Sequence, residues 1–492
     1  MNIEILADQN PWWRNPGNIE TDVKIQAYNS SVLKWDPRIK HFIKLDKDVV
    51  YTIRGPRQVG KTTLIKMIIK ELLENKTRPR DILYFSCDRL RGHEDLIEMI
   101  ETFLEFSGGI GKVSRRFLFI DEISSVKDWQ NAVKHLVDIG KLRNCSVILT
   151  GSHSIDIKKS AERLPGRRGE SGDPVNKILV PMKFSEYVDM MAPEIRKESQ
   201  FFFIKAEDRK KMLFNLFDGK IDTVISHDLP LYGERIRTLL DNYLLTGGIM
   251  LPSVEHFNKE DIGDHIYEIY IRALIGDLAR WKYSENIIKQ VLSSIIKKMT
   301  TCISMNSIAK ENEIGSHNTV SNYLEALEES YVLTTLYKMD PQTKCPVYRK
   351  DRKVYIANPF IYHALNGWVQ GSTEYYPRSL NVLMDTEVKS NLIEMVVHNH
   401  LVRCAFNITP SDVFSPHERL MFFIDKKGRE VDFILKHDDK LYPVEVKYRR
   451  KVEERDVRPI KFLRNGLVIT KGTMKGMEGY SMIPVEYFLM LI

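Results

Sequence analysis

The chain has 492 residues, 43% of them hydrophobic and 28% charged, with a formal net charge of +7. At about 100–200 residues per domain this is a multidomain globular chain, and its mild basicity permits nucleic-acid binding without requiring it. No apolar run approaches the ~18 residues of a membrane span, and the five cysteines (Cys87, Cys145, Cys302, Cys345, Cys404) never form CxxC, so a membrane role, a disulfide framework and a structural zinc site are all disfavoured. Residues 1–45 lack the basic–apolar–small order of a signal peptide, and a cytoplasmic location is expected. They are polar and aromatic, with Asn10-Pro11-Trp12-Trp13 near the front, and read as an arm packed on the next domain.

Residues 46–190 have an α/β pattern. Apolar runs at 49–53, 81–85, 116–120 and 146–150 predict buried parallel strands separated by helices. Residues 191–282 read as a helical lid or linker. Residues 283–375 read as helix, short helix, turn, longer helix and a β-like wing, and 376–492 return to a strand-rich α/β pattern.

The first strand runs into Gly55-Pro56-Arg57-Gln58-Val59-Gly60-Lys61-Thr62-Thr63, which matches GxxxxGK[ST] and opens an amphipathic helix. Glycines let successive backbone N–H groups turn onto phosphates, and the helix N-terminus adds its positive dipole end. Lys61 is expected to reach the β/γ-phosphates of ATP, and the Thr62 hydroxyl to ligate Mg²⁺. Sixty residues after Lys61, the run Phe117-Leu-Phe-Ile-Asp121-Glu122 ends a strand in two acids. Asp121 suits the Mg²⁺ shell, and Glu122 suits polarising the attacking water, which points to a hydrolysing ATPase. The next strand ends in Thr150-Gly151-Ser152, where Ser152 is the chosen sensor of the γ-phosphate.

The order GPRQVGKTT, FLFIDE, ILTGSHS, LPGRRG and VPMKFSEY resembles AAA+-like ATPases of archaea and bacteria that carry a C-terminal, often nuclease-like domain. Tyr243-Leu-Leu-Thr-Gly247-Gly248 and Lys353-Val-Tyr-Ile-Ala-Asn-Pro are also similar to phrases of that family. The resemblance implies that Arg167, beside Arg168, enters a neighbouring subunit's ATP site and stabilises charge on the γ-phosphoryl oxygens, so a homo-oligomer is expected.

Residues 301–337 resemble a winged helix-turn-helix, with His317, Asn318, Thr319 and Asn322 on the helix that would face DNA. That helix has no Lys or Arg, which weakens direct DNA reading and keeps a protein-docking role open. Downstream, Lys344, Arg349, Lys350, Arg352 and Lys353 read either as a solvated basic wing or as phosphate contacts.

The last region places Glu394 on a helix, Asp432 entering a strand, and Glu445 and Lys447 on one face of the next strand. Together these resemble the PD-(D/E)xK nuclease core. The resemblance implies a Mg²⁺ or Mn²⁺ site of Glu394, Asp432 and Glu445, with Lys447 positioning water. An amphipathic edge strand with paired charges is the plainer reading of the same residues. Between 445 and 475 ten basic residues stand against four acids, which suits a DNA backbone track. The combined expectation is a Mg²⁺-dependent ATPase that binds and remodels DNA, with branched or broken DNA as a candidate substrate. The alternatives are an ATP-gated switch that docks a protein partner, or an ATP-licensed structure-specific nuclease.

Overall fold

The computed structural model describes the chain except residues 109–114, 152–173, 409, 412–413, 450 and 464. It divides into two units, residues 1–180 and 181–492.

The first unit is built on a five-stranded sheet of β1 (Val49–Arg54), β2 (Ile82–Ser86), β3 (Arg116–Asp121), β4 (Cys145–Thr150) and β5 (Asn176–Ile178), in the order β2-β3-β4-β1-β5. Every pairing is parallel. All six residues of β1 and of β4 are buried, as helices on both faces of a parallel sheet require. The covering helices show matching periodicity. In Trp129–Asp138 the buried residues Trp129, Ala132, Val133 and Leu136 recur at i, i+3, i+4 and i+7.

Because all strands run the same way, the carboxyl ends of β1, β3 and β4 gather on one side of the sheet. Ligands of open α/β sheets bind there. The opposite problem, an exposed edge at β2, is met by the N-terminal arm. The Asn10 amide donates to the Tyr84 carbonyl (2.8 Å) and accepts from the Tyr84 N–H (2.6 Å), while the Trp12 and Trp13 indoles both donate to the Ile82 carbonyl. These side chains satisfy backbone groups that an edge strand would otherwise present for pairing with another chain.

The second unit begins with helices between Phe184 and Lys297. Helices Met305–Glu311 and His317–Glu329 follow, then the hairpin β6 (Leu333–Met339) and β7 (Pro346–Ile356). After helices Pro359–Val369, Tyr375–Met384 and Thr386–Ile408 come β8 (Leu420–Ile424), β9 (Glu430–His437), β10 (Lys440–Lys447), β11 (Gly466–Thr470), β12 (Lys475–Met477) and β13 (Tyr480–Pro484).

These eight strands form one mixed sheet in the order β12-β13-β11-β10-β9-β8-β6-β7. The hairpin expected as a wing therefore continues the C-terminal sheet, through parallel pairing of Tyr337 with Met421 and Lys338 with Phe422. The expected border near residue 375 is not a break in that sheet.

The two phrases Tyr243–Gly248 and Lys353–Pro359 meet in this unit. The Asn358 amide donates to the Gly247 carbonyl (2.7 Å), and Gly247 takes φ +63° to end its helix. A Cβ on Gly247 would lie 2.0 Å from Asn358 Oδ1, so only glycine permits the approach.

Candidate functional site

The phosphate-binding loop forms between β1 and helix Lys61–Glu74. Its turn uses left-handed backbone at Gln58 (φ +60°) and Gly60 (φ +101°). Gly55 is required for a different reason: a Cβ there would sit 1.9 Å from the Leu179 carbonyl oxygen, which belongs to the segment following β5. Lys61 is buried, and its ammonium donates to the carbonyls of Gly55 and Pro56, both at 2.8 Å. Val59 is buried, and Thr62 and Thr63 follow on the first turn of the helix. Arg57 and Pro56 are half-buried and Gln58 is exposed at the loop tip.

Asp121, at the end of β3, lies next to this loop. Its Oδ2 accepts from the hydroxyls of Thr62 (2.7 Å) and Tyr84 (3.1 Å), and its Oδ1 from the Thr150 hydroxyl and the Glu122 N–H. All four donors are neutral. The carboxylate is held in place while its charge stays uncompensated by them, which fits a cation bound at Thr62 and Asp121. Burial, and then the charge of Asp121, pushes the Tyr84 hydroxyl well above its ordinary pKa, so it acts as a donor and not as a phenolate.

Glu122 is half-buried and adopts a left-handed conformation, φ +51°. A non-glycine residue held there carries strain, which is found most often at functional sites. The structure places Thr62 in hydrogen-bond contact with Asp121, and Glu122 follows Asp121 with its N–H on the same carboxylate.

Tyr84 and Thr150 were missed. Thr150 carried a signal, as a hydroxyl at a strand end in the run where Ser152 was preferred. Tyr84 carried none, because its role depends on β2 lying beside β3. Ser152, Arg167 and Arg168 fall outside the described residues.

The second constellation lies in the C-terminal sheet. Glu394, Asp432, Glu445 and Lys447 converge, with Asp432 and Glu445 both buried. The Asp432 N–H donates to Glu445 Oε2 (3.2 Å), and Asp432 Oδ2 accepts from the Val446 N–H (2.8 Å). Lys447 forms an ion pair with Glu445 and lies 3.8 Å from Asp432 Oδ2.

A further member is Lys353, which the sequence offers as a solvated wing residue or a phosphate contact and which is only 1% exposed. Its ammonium contacts Glu430 and lies 3.5 Å from both Glu394 Oε1 and Asp432 Oδ1. The reason is the sheet: β7 pairs with β6, β6 with β8 and β8 with β9, and the register shift between Met421 and Phe423 lets Asp432 face Lys353.

The Tyr355 hydroxyl donates to Glu394 Oε1 (2.8 Å), and the Tyr355 ring stacks on His398 with centroids 4.3 Å apart. Burial, and then the charge of Asp432, pushes Glu394 and Glu445 above the usual carboxylate range. Burial works to lower Lys353, but the groups around it, Tyr355, Glu394 and Asp432 foremost, hold it well above the ordinary lysine value.

Among the described residues no group of three or more His, Cys, Asp or Glu is arranged to hold a metal ion.

The surfaces expected to meet DNA are mixed. His317, Asn318 and Asn322 are exposed, while Thr319 is half-buried, with its N–H bonded to the Ser316 cap (3.1 Å). In the wing, Lys344 and Arg349 are exposed, whereas the Arg352 guanidinium packs on the Tyr337 ring at 5.1 Å. In the C-terminal track Lys447 and Arg449 are engaged by acids, Arg449 with Asp456. Lys451, Arg458, Lys471 and Lys475 are exposed. No helix among the described residues is long and apolar enough to cross a membrane.

Comparison with known proteins follows this division. Residues 47–188 match the family described as AAA domain, and residues 237–372 and 389–488 match two families described as domains of unknown function. An uncharacterized protein of Methanocaldococcus jannaschii is 24% identical over 392 residues, covering 78% of this chain and 75% of its own length. A second from the same organism is 23% identical over 452 residues, covering 90% and 86%. Among solved structures, a Walker-type ATPase of Pyrococcus abyssi aligns with 14% identity and a TM-score of 0.37, over 64% of this chain and 91% of that one. With the parallel sheet, the glycine loop and the acid-tipped β3 in place, residues 47–188 form an AAA-type P-loop domain.

Proposed function

We propose that this protein is a Mg²⁺-dependent ATP hydrolase that binds and remodels DNA under the control of ATP turnover. The observation that carries the ATPase reading is Asp121, held beside the phosphate-binding loop by the hydroxyls of Thr62, Tyr84 and Thr150.

In this reading the backbone from Gly55 to Thr63 cradles the phosphates, and Lys61 compensates β/γ charge. Thr62 and Asp121 hold Mg²⁺, which supplies charge neutralisation on the phosphates. Glu122 orients the attacking water and takes its proton. Ser152 senses the γ-phosphate, and Arg167 from a neighbouring copy stabilises the charge that develops on it, which makes the active form a homo-oligomer.

DNA binding is supported by the exposed Lys451, Arg458, Lys471 and Lys475 and by the helix-helix-hairpin arrangement of residues 305–356. A second reading, an ATP-gated switch docking a protein partner, is favoured by one observation: helix His317–Glu329 carries no lysine or arginine. Phosphate contacts need cations, so this helix suits a protein surface better than a groove.

ATPase rate and gel-shift affinity measured with single-stranded, duplex, forked and four-way DNA separate the two. Turnover stimulated by at least one DNA form is the expected result. Turnover indifferent to all four, with no shifted band, would leave the protein-docking reading standing.

A further inference from the structure

The carboxylate cluster of the C-terminal sheet has the residue types of a metal nuclease, but its centre is filled. A hard divalent cation needs about six oxygens at short range, and the ligands must turn their lone pairs to one point. Here that point is taken by ammonium. Lys353 Nζ contacts Glu430 and lies 3.5 Å from Glu394 and 3.5 Å from Asp432. Lys447 covers the other side, on Glu445 and 3.8 Å from Asp432. Asp432, the ligand such a site would share, has one oxygen facing Lys353 and the other bonded to the Val446 N–H.

Lys353 cannot easily withdraw. Its backbone sits in β7 opposite Leu336, and its side chain is 2% exposed. Its ammonium is 5.8 Å from the Phe422 ring centroid. Two positive charges and the bulk of a lysine therefore stand where a metal would have to enter, and both oppose a second cation.

We infer that Lys353 fills the cation position of this cage, so that Glu394, Glu430, Asp432 and Glu445 form an ionic clasp with Lys353 and Lys447 and not a DNA-cleaving metal centre. The clasp joins the β6–β7 hairpin to helix Thr386–Ile408 and to β9 and β10. It makes the helix-hairpin region and the C-terminal sheet one mechanical piece, through which a partner bound at one would act on the other. The inference is independent of the ATPase reading, since it concerns different residues and is read without ATP.

The test uses the full, nucleotide-free chain. Mn²⁺ uptake is followed by electron paramagnetic resonance in the parent and in Asp432→Asn, with nicking of supercoiled plasmid in Mg²⁺ or Mn²⁺ followed alongside. Equal uptake by the two proteins and no nicking are expected. One Mn²⁺ equivalent lost in Asp432→Asn, or nicking that this variant abolishes, overturns the inference.

The clasp itself is read by thermal melting. Lys353→Met should lower the Tm, and Lys353→Met with Glu394→Gln should melt above the single Lys353→Met variant, because the stranded buried charge is removed with its partner. Melting losses that merely add would refute the clasp. If Lys353→Met does not fold, Glu430→Gln, which removes the carboxylate that Lys353 contacts, alone decides. A Tm equal to or above that of the parent would refute the clasp, and a lower Tm would support it.

Discussion

Asp121 and Asp432 are both buried acids on sheet strands, yet their neighbours treat their charge in opposite ways. Asp121 accepts from hydroxyls and a backbone N–H, which fix its position and leave the charge available to a cation. Asp432 lies among the ammonium groups of Lys353 and Lys447, which cancel it. In the proposed readings the same residue type is a ligand in one setting and a structural counter-ion in the other. What separates them is whether the donors that satisfy the carboxylate bring charge of their own.

The largest expected effects fall on the first site. Lys61→Ala should abolish tight ATP binding, seen by titration calorimetry. Glu122→Gln should keep nucleotide affinity and lose turnover by about 10²–10³-fold, the scale for removing a group that acts on the transition state. Turnover at the parent rate in Glu122→Gln would move the water-activating role to another residue.

Next in size is the pH response of the second unit, where two sets of buried groups pull in opposite directions. Burial holds His398 and His400 down to about 3 and His363 to about 4, against an ordinary 6.5. These neutral rings stabilise fully above 6.5, and that contribution is lost as pH falls through the acidic range. Each costs up to about 1.4 kcal/mol per pH unit in that window. Glu394 and Glu445, raised from 4.5, act the other way and lose stability as pH rises toward and through neutrality. With three such rings against two such carboxyls, melting of this unit should be highest near pH 6.5 and fall on both sides. Glu394→Gln should remove part of the loss between pH 4.5 and about 7. A melting temperature that climbs steadily from pH 6.5 to 8.5 would contradict the buried carboxyls.

Tyr84→Phe sharpens the comparison at the first site. It removes one neutral donor from Asp121 without changing the sheet, and a hydrogen bond to a charged group is worth about 1.5–3 kcal/mol. The half-saturating Mg²⁺ concentration for ATP turnover should shift by roughly 10-fold, with kcat at saturating Mg²⁺ less affected. An unchanged Mg²⁺ dependence would mean that Thr62 and Thr150 suffice.

The smallest effect concerns DNA. Lys451→Glu with Arg458→Glu should weaken binding to every sequence by a similar few-fold and flatten its salt dependence, as phosphate contacts do. Affinity that ignores both the reversal and added salt would move the DNA surface elsewhere.

The sequence by itself determined the parallel-strand domain and the glycine loop, and it set Asp121 at the strand end that lies beside Thr62. These were legible because each depends on local spacing: a buried run sets a strand, glycines set a turn, and a strand end sets which acid follows. The resemblance to a nuclease core brought Glu394, Asp432, Glu445 and Lys447 into one candidate group, and period-2 alternation put Glu445 and Lys447 on one strand face. The structure alone decided which groups surround each carboxylate. Tyr84 reaches Asp121 because β2 pairs with β3, and Lys353 reaches Asp432 because the β6–β7 hairpin joins the C-terminal sheet beside β8. Strand neighbours come from anywhere in the chain, so no spacing announces them. A basic residue in a run of basic residues reads as solvated until the sheet is assembled and its carboxylate partners close around it.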